Sequence, residues 1–335
     1  CSFKIMKLFD RIVREESRGR LRGEPMFTYL NASGRKPVTA IRKMLETWFL
    51  DFPKVAQRDL RGRFRSLEDE THLASFSELY MYTLLSRMRL KLEVHPALNI
   101  EKSTHPDFLV SDEKGRNLFY LETTTAARSR KTIGSNKRMS ALLDMLDKTH
   151  SPNFYLEVTY EGSPESPVPA ATLKKELERW LAGFDPDELF SLMTSQGIEA
   201  MPRREWEYKG LTLNIVAIPK GSEGRGVDGG RAIGALMPGS MSLVTCATDI
   251  RKALESKANH YGRPDLPMVI AINNLTSDFG RHDHNMEALF GQEVVRVMRE
   301  SDDYSSEPCF DRLPNGAWRG PSGFRMKRVS AAIIV

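Results

Sequence analysis

The chain has 335 residues, long enough for one large domain with insertions or for two ordinary ones. With 40% hydrophobic and 28% charged residues and a mean hydropathy of −0.41 it has a globular composition, and no run approaches the ~18 consecutive apolar residues of a membrane span. A net charge of +5 permits a polyanionic partner without requiring one, and three scattered cysteines (Cys1, Cys246, Cys309) exclude a disulfide framework or a cysteine-rich zinc site.

Nothing at the N-terminus resembles a signal peptide, which makes the cytoplasm the expected location. Residues 1–70 alternate basic and apolar positions, with helices expected near 4–16 and 36–50, and form an N-terminal helical region. Arg58, Arg61, Arg63 and Arg65 make a basic cluster there, whose plain reading is a solvated surface. The texture changes at Thr71. A helix is predicted over 71–90, then a strand near 92–95, then a hairpin of HPDFLVS and NLFYLETT joined by DEKG. A polar, basic helix follows at 134–148, a strand at 153–162, a helix at 173–184 and a strand at 211–220. A glycine-rich loop, 221–239, leads to a helix at 247–261, a buried-type strand at 267–275, a short helix over EALFGQEVVRVM and a last strand, RVSAAIIV. Strands alternating with helices after a helical start indicate an α/β core.

Two local patterns point elsewhere and weigh little. Gly224, Gly226 and Gly229 spell GxGxxG, but they lie well beyond a strand end and open no helix, so a flexible loop is the better reading. His282, Asp283 and His284 lack a second ligand cluster and read as turn residues.

The hairpin carries the chemistry. If Asp112 faces Gly115 across the turn, Asp107 lies opposite Tyr120, and Tyr120, Glu122 and Thr124 share one face because side chains alternate. Asp107 and Glu122 are then diagonal neighbours on one side. Two carboxylates that close repel unless a cation sits between them, and oxygen ligands of this kind select Mg²⁺ or Mn²⁺. The competing reading is an exposed strand-end Asp107 and a Glu122 paired with an arginine. On the 71–90 helix, Leu73, Ser77, Tyr80, Met81, Leu84, Leu85 and Met88 make an apolar face with Glu78 at its border. On the 247–261 helix, Ile250, Ala253, Leu254, Ala258 and Tyr261 form an apolar stripe with Lys257 inside it. A lysine so placed calls for an anionic partner, and the stripe predicts that its ammonium points toward the carboxylates of the sheet.

Glu78 on a helix, Pro106–Asp107, Glu122-x-Thr124 on the paired strand and Lys257-Ala-Asn-His-Tyr261 on a later helix together resemble the PD-(D/E)XK nuclease superfamily. The likeness spans residues 71–130 and 245–275; Lys257-x-x-x-Tyr261 is similar to the QxxxY motif of the exonuclease branch, with lysine for glutamine. The resemblance implies a restriction-endonuclease-like three-layer core, a mixed sheet flanked by helices, over 71–335, with 131–244 as a large insertion and 1–70 as an addition. It implies Asp107, Glu122 and Glu78 as ligands of Mg²⁺ or Mn²⁺, and a nucleic-acid partner, DNA, gripped through Arg128, Arg130, Lys131, Lys137 and Arg138. By analogy it implies a restriction or anti-phage setting, as a homodimer or in a larger defence complex, and no membrane partner. The departure is Thr124, where the family has its lysine: either the activity is lost or the cation has moved, with Lys257 as the moved cation and Tyr261 fixing it. The expected activity is metal-dependent phosphodiester hydrolysis. The alternative is a catalytically inactive nucleic-acid-binding or scaffolding subunit, and a nucleotide-binding enzyme using the glycine loop ranks last.

Overall fold

A computed structural model describes residues 6–97, 105–126, 130–226, 230–238, 246–258, 264–274, 282–296 and 309–335; for 130–136, 237–238, 246, 282, 296 and 309 it describes the backbone alone. The chain divides into two compact units, the first formed by 1–19, 25–128 and 244–335 and the second by 20–24 and 129–243.

The first unit begins with four helices, α1 (Met26–Ala32), α2 (Lys36–Asp51), α3 (Lys54–Phe64) and α4 (Asp69–Arg87). An antiparallel meander follows, β1 (Lys91–Val94), β2 (Phe108–Ser111) and β3 (Asn117–Ala126). After the second unit the chain adds α8 (Cys246–Ala258), β8 (Met268–Asn274), α9 (His282–Phe290), the short strands β9 (Glu293–Arg296), β10 (Cys309–Arg312), β11 (Arg319–Gly320) and β12 (Gly323–Phe324), and finally β13 (Val329–Ile334). The main sheet runs β1-β2-β3-β8-β13, antiparallel in its first half and parallel from β3 onward.

Alternation along the strands gives this sheet two apolar faces. Phe108, Val110, Leu121, Val269 and Ala271 pack with Leu79, Met81 and Leu85 of α4 and with Leu45, Phe49, Leu60 and Phe64 of α2 and α3. On the opposite face Ile270 and Ile272 pack with Ile250, Ala253, Leu254 and Ala258 of α8 and with Ala288 and Leu289 of α9. A mixed sheet flanked by helices is the result, as the α/β pattern predicts. The N-terminal helices are part of its core. Among the described residues no helix is long and apolar enough to cross a membrane.

The second unit has its own sheet, ordered β5-β6-β4-β7. It comprises α5 (Arg130–Leu146), β4 (Phe154–Gly162), α6 (Ala170–Leu181), α7 (Pro186–Gln196), β5 (Arg203–Tyr208), β6 (Leu211–Pro219) and β7 (Ile233–Pro238). Leu142 and Leu146 of α5 and Leu173, Leu177 and Leu181 of α6 cover one face, formed by Leu156, Val158, Leu213 and Ile215. Residues 20–24 join this unit because the Asp144 carboxylate accepts the backbone N–H groups of Arg22 (2.8 Å) and Gly23 (2.9 Å).

Several sequence expectations need correction. The described part of 4–16 is not a helix. Its backbone is captured by side chains instead: Glu46 accepts from Leu8 (3.2 Å) and Phe9 (2.9 Å), while Arg61 donates to the Lys7 carbonyl (2.6 Å) and Arg65 to that of Leu8 (2.8 Å). The arginine cluster therefore ties down the N-terminal segment. The glycine-rich loop contains β7, and His282, Asp283 and His284 open α9. EALFGQEVVRVM is split between α9 and β9 at Gly291, whose φ of 97° and close approach to the Leu313 carbonyl leave no space for a Cβ.

Helix α4 also departs from a one-sided stripe. His72, Ser75, Ser77, Glu78 and Leu79 are buried with Met81 and Leu85, whereas Met88 is exposed. It lies between the other N-terminal helices and the sheet, so burial extends around most of its circumference.

Candidate functional site

The hairpin register differs from the prediction by two residues. Asp112 N–H donates to the Arg116 carbonyl (3.0 Å), one step wider than expected, and a bulge between Val110 and Ser111 adds another step. Phe108 thus pairs with Leu121 and Leu109 with Tyr120. A shift of two preserves the face of every side chain but moves Asp107 from opposite Tyr120 toward Glu122. No ladder pairing extends to Asp107. Its carboxylate Oδ2 instead accepts two hydrogen bonds from Thr123, from the backbone N–H (2.7 Å) and from Oγ1 (2.6 Å). Asp107 closes the ladder with its side chain, and its own carbonyl accepts from His95 N–H (3.0 Å).

Glu122 is only 3% exposed. It sits beside Ile270 of β8, on the face covered by α8, and Lys257 Nζ donates to its Oε1 at 2.5 Å. The ammonium belongs to a side chain 31% exposed, so the pair joins an enclosed carboxylate to a lysine that still touches water. Such a charge-assisted contact lowers the cost of enclosing Glu122. It is the contact that the position of Lys257 in an apolar stripe predicts.

Glu78 is enclosed on the other side of the sheet, at 2% exposure. Its Oε2 meets Arg63 Nη1 of α3 at 2.7 Å, and its Oε1 is buried without a hydrogen-bond partner. Burial pushes the Glu78 carboxyl pKa up and the charge of Asp107 adds to that, while Arg63 pulls against both. Arg63 is itself gripped by Asp59, at 2.9 Å to Nε and 2.8 Å to Nη2. Burial works against its charge, yet its bonds to Glu78 and Asp59 leave its pKa raised.

The expected convergence of three carboxylates takes a different form. Glu78 is held by Arg63, Asp107 by Thr123 and Glu122 by Lys257, and Thr123 and Glu122, being adjacent on β3, point to opposite faces. Among the described residues no three His, Cys, Asp or Glu side chains are gathered as a ligand set. The donors still suit a hard cation in kind. The buried Glu78 Oε1, without a hydrogen-bond partner and within electrostatic reach of Asp107, is an acceptor that such an ion would satisfy. No match was found among family models, curated proteins or solved structures.

Thr124 is half-buried opposite Ile272 and makes no side-chain hydrogen bond to a described residue. Tyr261, Arg128 and Gly229 lie outside the described residues, and of Arg130 and Lys131 only the backbone, at the start of α5, is described. Lys137 is exposed, and Arg138 donates to the Pro164 carbonyl at 2.7 Å. Arg138 is thereby committed within the second unit.

Sequence reasoning passed over two residues that touch the acids. Arg63 stood in a run read as solvated surface; once Glu78 falls on a core-facing helix, a nearby cation becomes a requirement, and that is the signal available in the sequence. Alternation along β3 places Thr123 only on the face opposite Glu122. No sequence signal distinguishes it from its threonine neighbours.

Proposed function

We propose that the first unit is a restriction-endonuclease-like PD-(D/E)XK domain acting as a cytoplasmic, Mg²⁺- or Mn²⁺-dependent nuclease on DNA, in a restriction or anti-phage setting. One observation carries this reading: Lys257 meets Glu122 at 2.5 Å from a helix, while Thr124 occupies the position two residues after the acid where the family has its lysine. A cation displaced in sequence but returned in space to the same carboxylate is what a retained activity would require.

Asp107 and Glu78 would hold the ion, and Glu122, on the opposite face of the sheet, would anchor Lys257. Once bound, the ion supplies Lewis-acid polarisation of the scissile phosphate and a more acidic water. Lys257, anchored on Glu122 and partly open to solvent, has further N–H groups to offer a phosphoryl oxygen, adding positive charge where the transition state is most negative. Asp107 is fixed through one oxygen by Thr123, and Glu78 through one oxygen by Arg63.

The test is incubation of plasmid and linear DNA with Mg²⁺ or Mn²⁺, comparing the wild type with Glu122→Ala and Lys257→Ala. Metal-dependent cleavage lost in both variants is the expected result. Cleavage that survives Glu122→Ala sinks the assignment. A specific observation favours a second reading: Glu78 and Glu122 are already neutralised by protein cations, as in a nucleic-acid-binding or scaffolding subunit that has lost catalysis. Salt-sensitive DNA binding without cleavage by the wild type supports that alternative.

A further inference from the structure

The threonine run of β3 holds a residue whose role neither fold nor motif assigns. Thr123 gives Asp107 two hydrogen bonds, both to Oδ2, from N–H at 2.7 Å and from Oγ1 at 2.6 Å. The backbone bond has a structural explanation: with ladder pairing ended at Phe108–Leu121, the Thr123 amide needs an acceptor, and the Asp107 carboxylate serves. The hydroxyl bond has no such explanation. A valine at position 123 would fit the strand equally well and keep the amide bond. What the hydroxyl adds is direction. A carboxylate held by one N–H can rotate about that contact, whereas two donors converging on one oxygen fix its plane. All the hydrogen bonds Asp107's carboxylate makes to described residues fall on Oδ2, so Oδ1 is the oxygen left to act. Glu78 is treated alike: Arg63 takes Oε2 and leaves Oε1 buried and unpartnered.

We infer that Thr123 is a positioning residue, whose hydroxyl locks the Asp107 carboxylate so that Oδ1 is presented to a divalent cation shared with Glu78. This rests on the metal-dependent reading proposed above. It also changes what the Glu-x-Thr sequence means, because the working threonine is the residue between the acid and the motif position, not Thr124. Donors that orient a ligand from behind typically contribute about 10–100-fold in metal affinity.

The test is Mn²⁺ affinity, measured by calorimetry on the full chain for the wild type, Asp107→Asn, Thr123→Val and Thr123→Ser, with melting temperatures for each. Thr123→Val keeps the β-branched shape and removes only the hydroxyl; Thr123→Ser keeps the hydroxyl and removes the methyl group. The expected result is a loss of about tenfold or more in Mn²⁺ affinity for Thr123→Val. Affinity near that of the wild type is expected for Thr123→Ser, and metal-dependent DNA cleavage follows the same order. A wild type that binds no Mn²⁺ overturns the metal reading and the inference with it. A wild type that binds, with binding lost in Asp107→Asn but unchanged in Thr123→Val, overturns only the role of Thr123. Equal losses in Thr123→Val and Thr123→Ser also overturn it, since the hydroxyl is then not the cause.

Discussion

Replacing Lys257 by methionine keeps the length of the side chain and the apolar stripe of α8 but leaves the Glu122 carboxylate enclosed without its ammonium. Removing one member of a buried ion pair costs about 3–5 kcal/mol, because the remaining charge stays desolvated. Glu122 meets that description at 4% side-chain exposure, but Lys257 at 31% does not, and water reaching the ammonium screens the pair. The expected loss for Lys257→Met is therefore about 2–3 kcal/mol, below the fully buried range. In a unit of roughly 200 residues that corresponds to a fall in Tm of about 4–12 °C. Glu122→Gln removes the charge while preserving shape, so Glu122→Gln/Lys257→Met should be more stable than the sum of the single losses predicts, by about 1–2 kcal/mol. Urea denaturation of the four proteins in this cycle, followed by circular dichroism, measures the coupling. A Lys257→Met variant within about 0.5 kcal/mol of the wild type would refute the reasoning, and so would strict additivity.

Other expectations follow from the same side chains. Glu78 has a folded pKa raised by burial, so its contribution to stability is full below the ordinary carboxylate range and drains away as pH rises through the raised value. Glu78→Gln cannot ionise, so its stability relative to the wild type should improve as pH climbs from ~4 to ~7, measured by denaturation at a series of pH values. Arg42 is buried and donates to the Leu30 and Ser33 carbonyls, both at 2.7 Å, and to Thr39 Oγ1 at 2.8 Å. Arg42→Met should strip donors from the end of α1 and cost about 2–3 kcal/mol in thermal or urea denaturation. Asp144→Ala removes the acceptor for the Arg22 and Gly23 amides, and faster trypsin cleavage after Arg20 or Arg22 is the expected readout.

Much of the site was legible because local periodicity governs which face a residue takes. Alternation on β3 put Glu122 and Thr123 on opposite faces, and helical spacing put Lys257 among Ile250, Ala253 and Leu254, whatever lay across from them. Both statements survived a register two residues away from the one expected, since a shift of two leaves the faces unchanged. The register itself was not legible. It depended on a wider turn and a bulge, which are settled by how β2 and β3 pack.

The sequence by itself determined the α/β class, the alternation of β3 and the need of Lys257 for an anion, because these follow from spacing within single elements. Tertiary structure decided which partner each charge received. Arg63 meets Glu78 because α3 packs against α4, and Asp107 meets Thr123 because the ladder ends between them. Residues 7–9 have Glu46, Arg61 and Arg65 as partners for their backbone in place of helical ones. In each case the deciding energy is the satisfaction of a buried polar group by a residue distant in sequence, and spacing along one element carries no information about that.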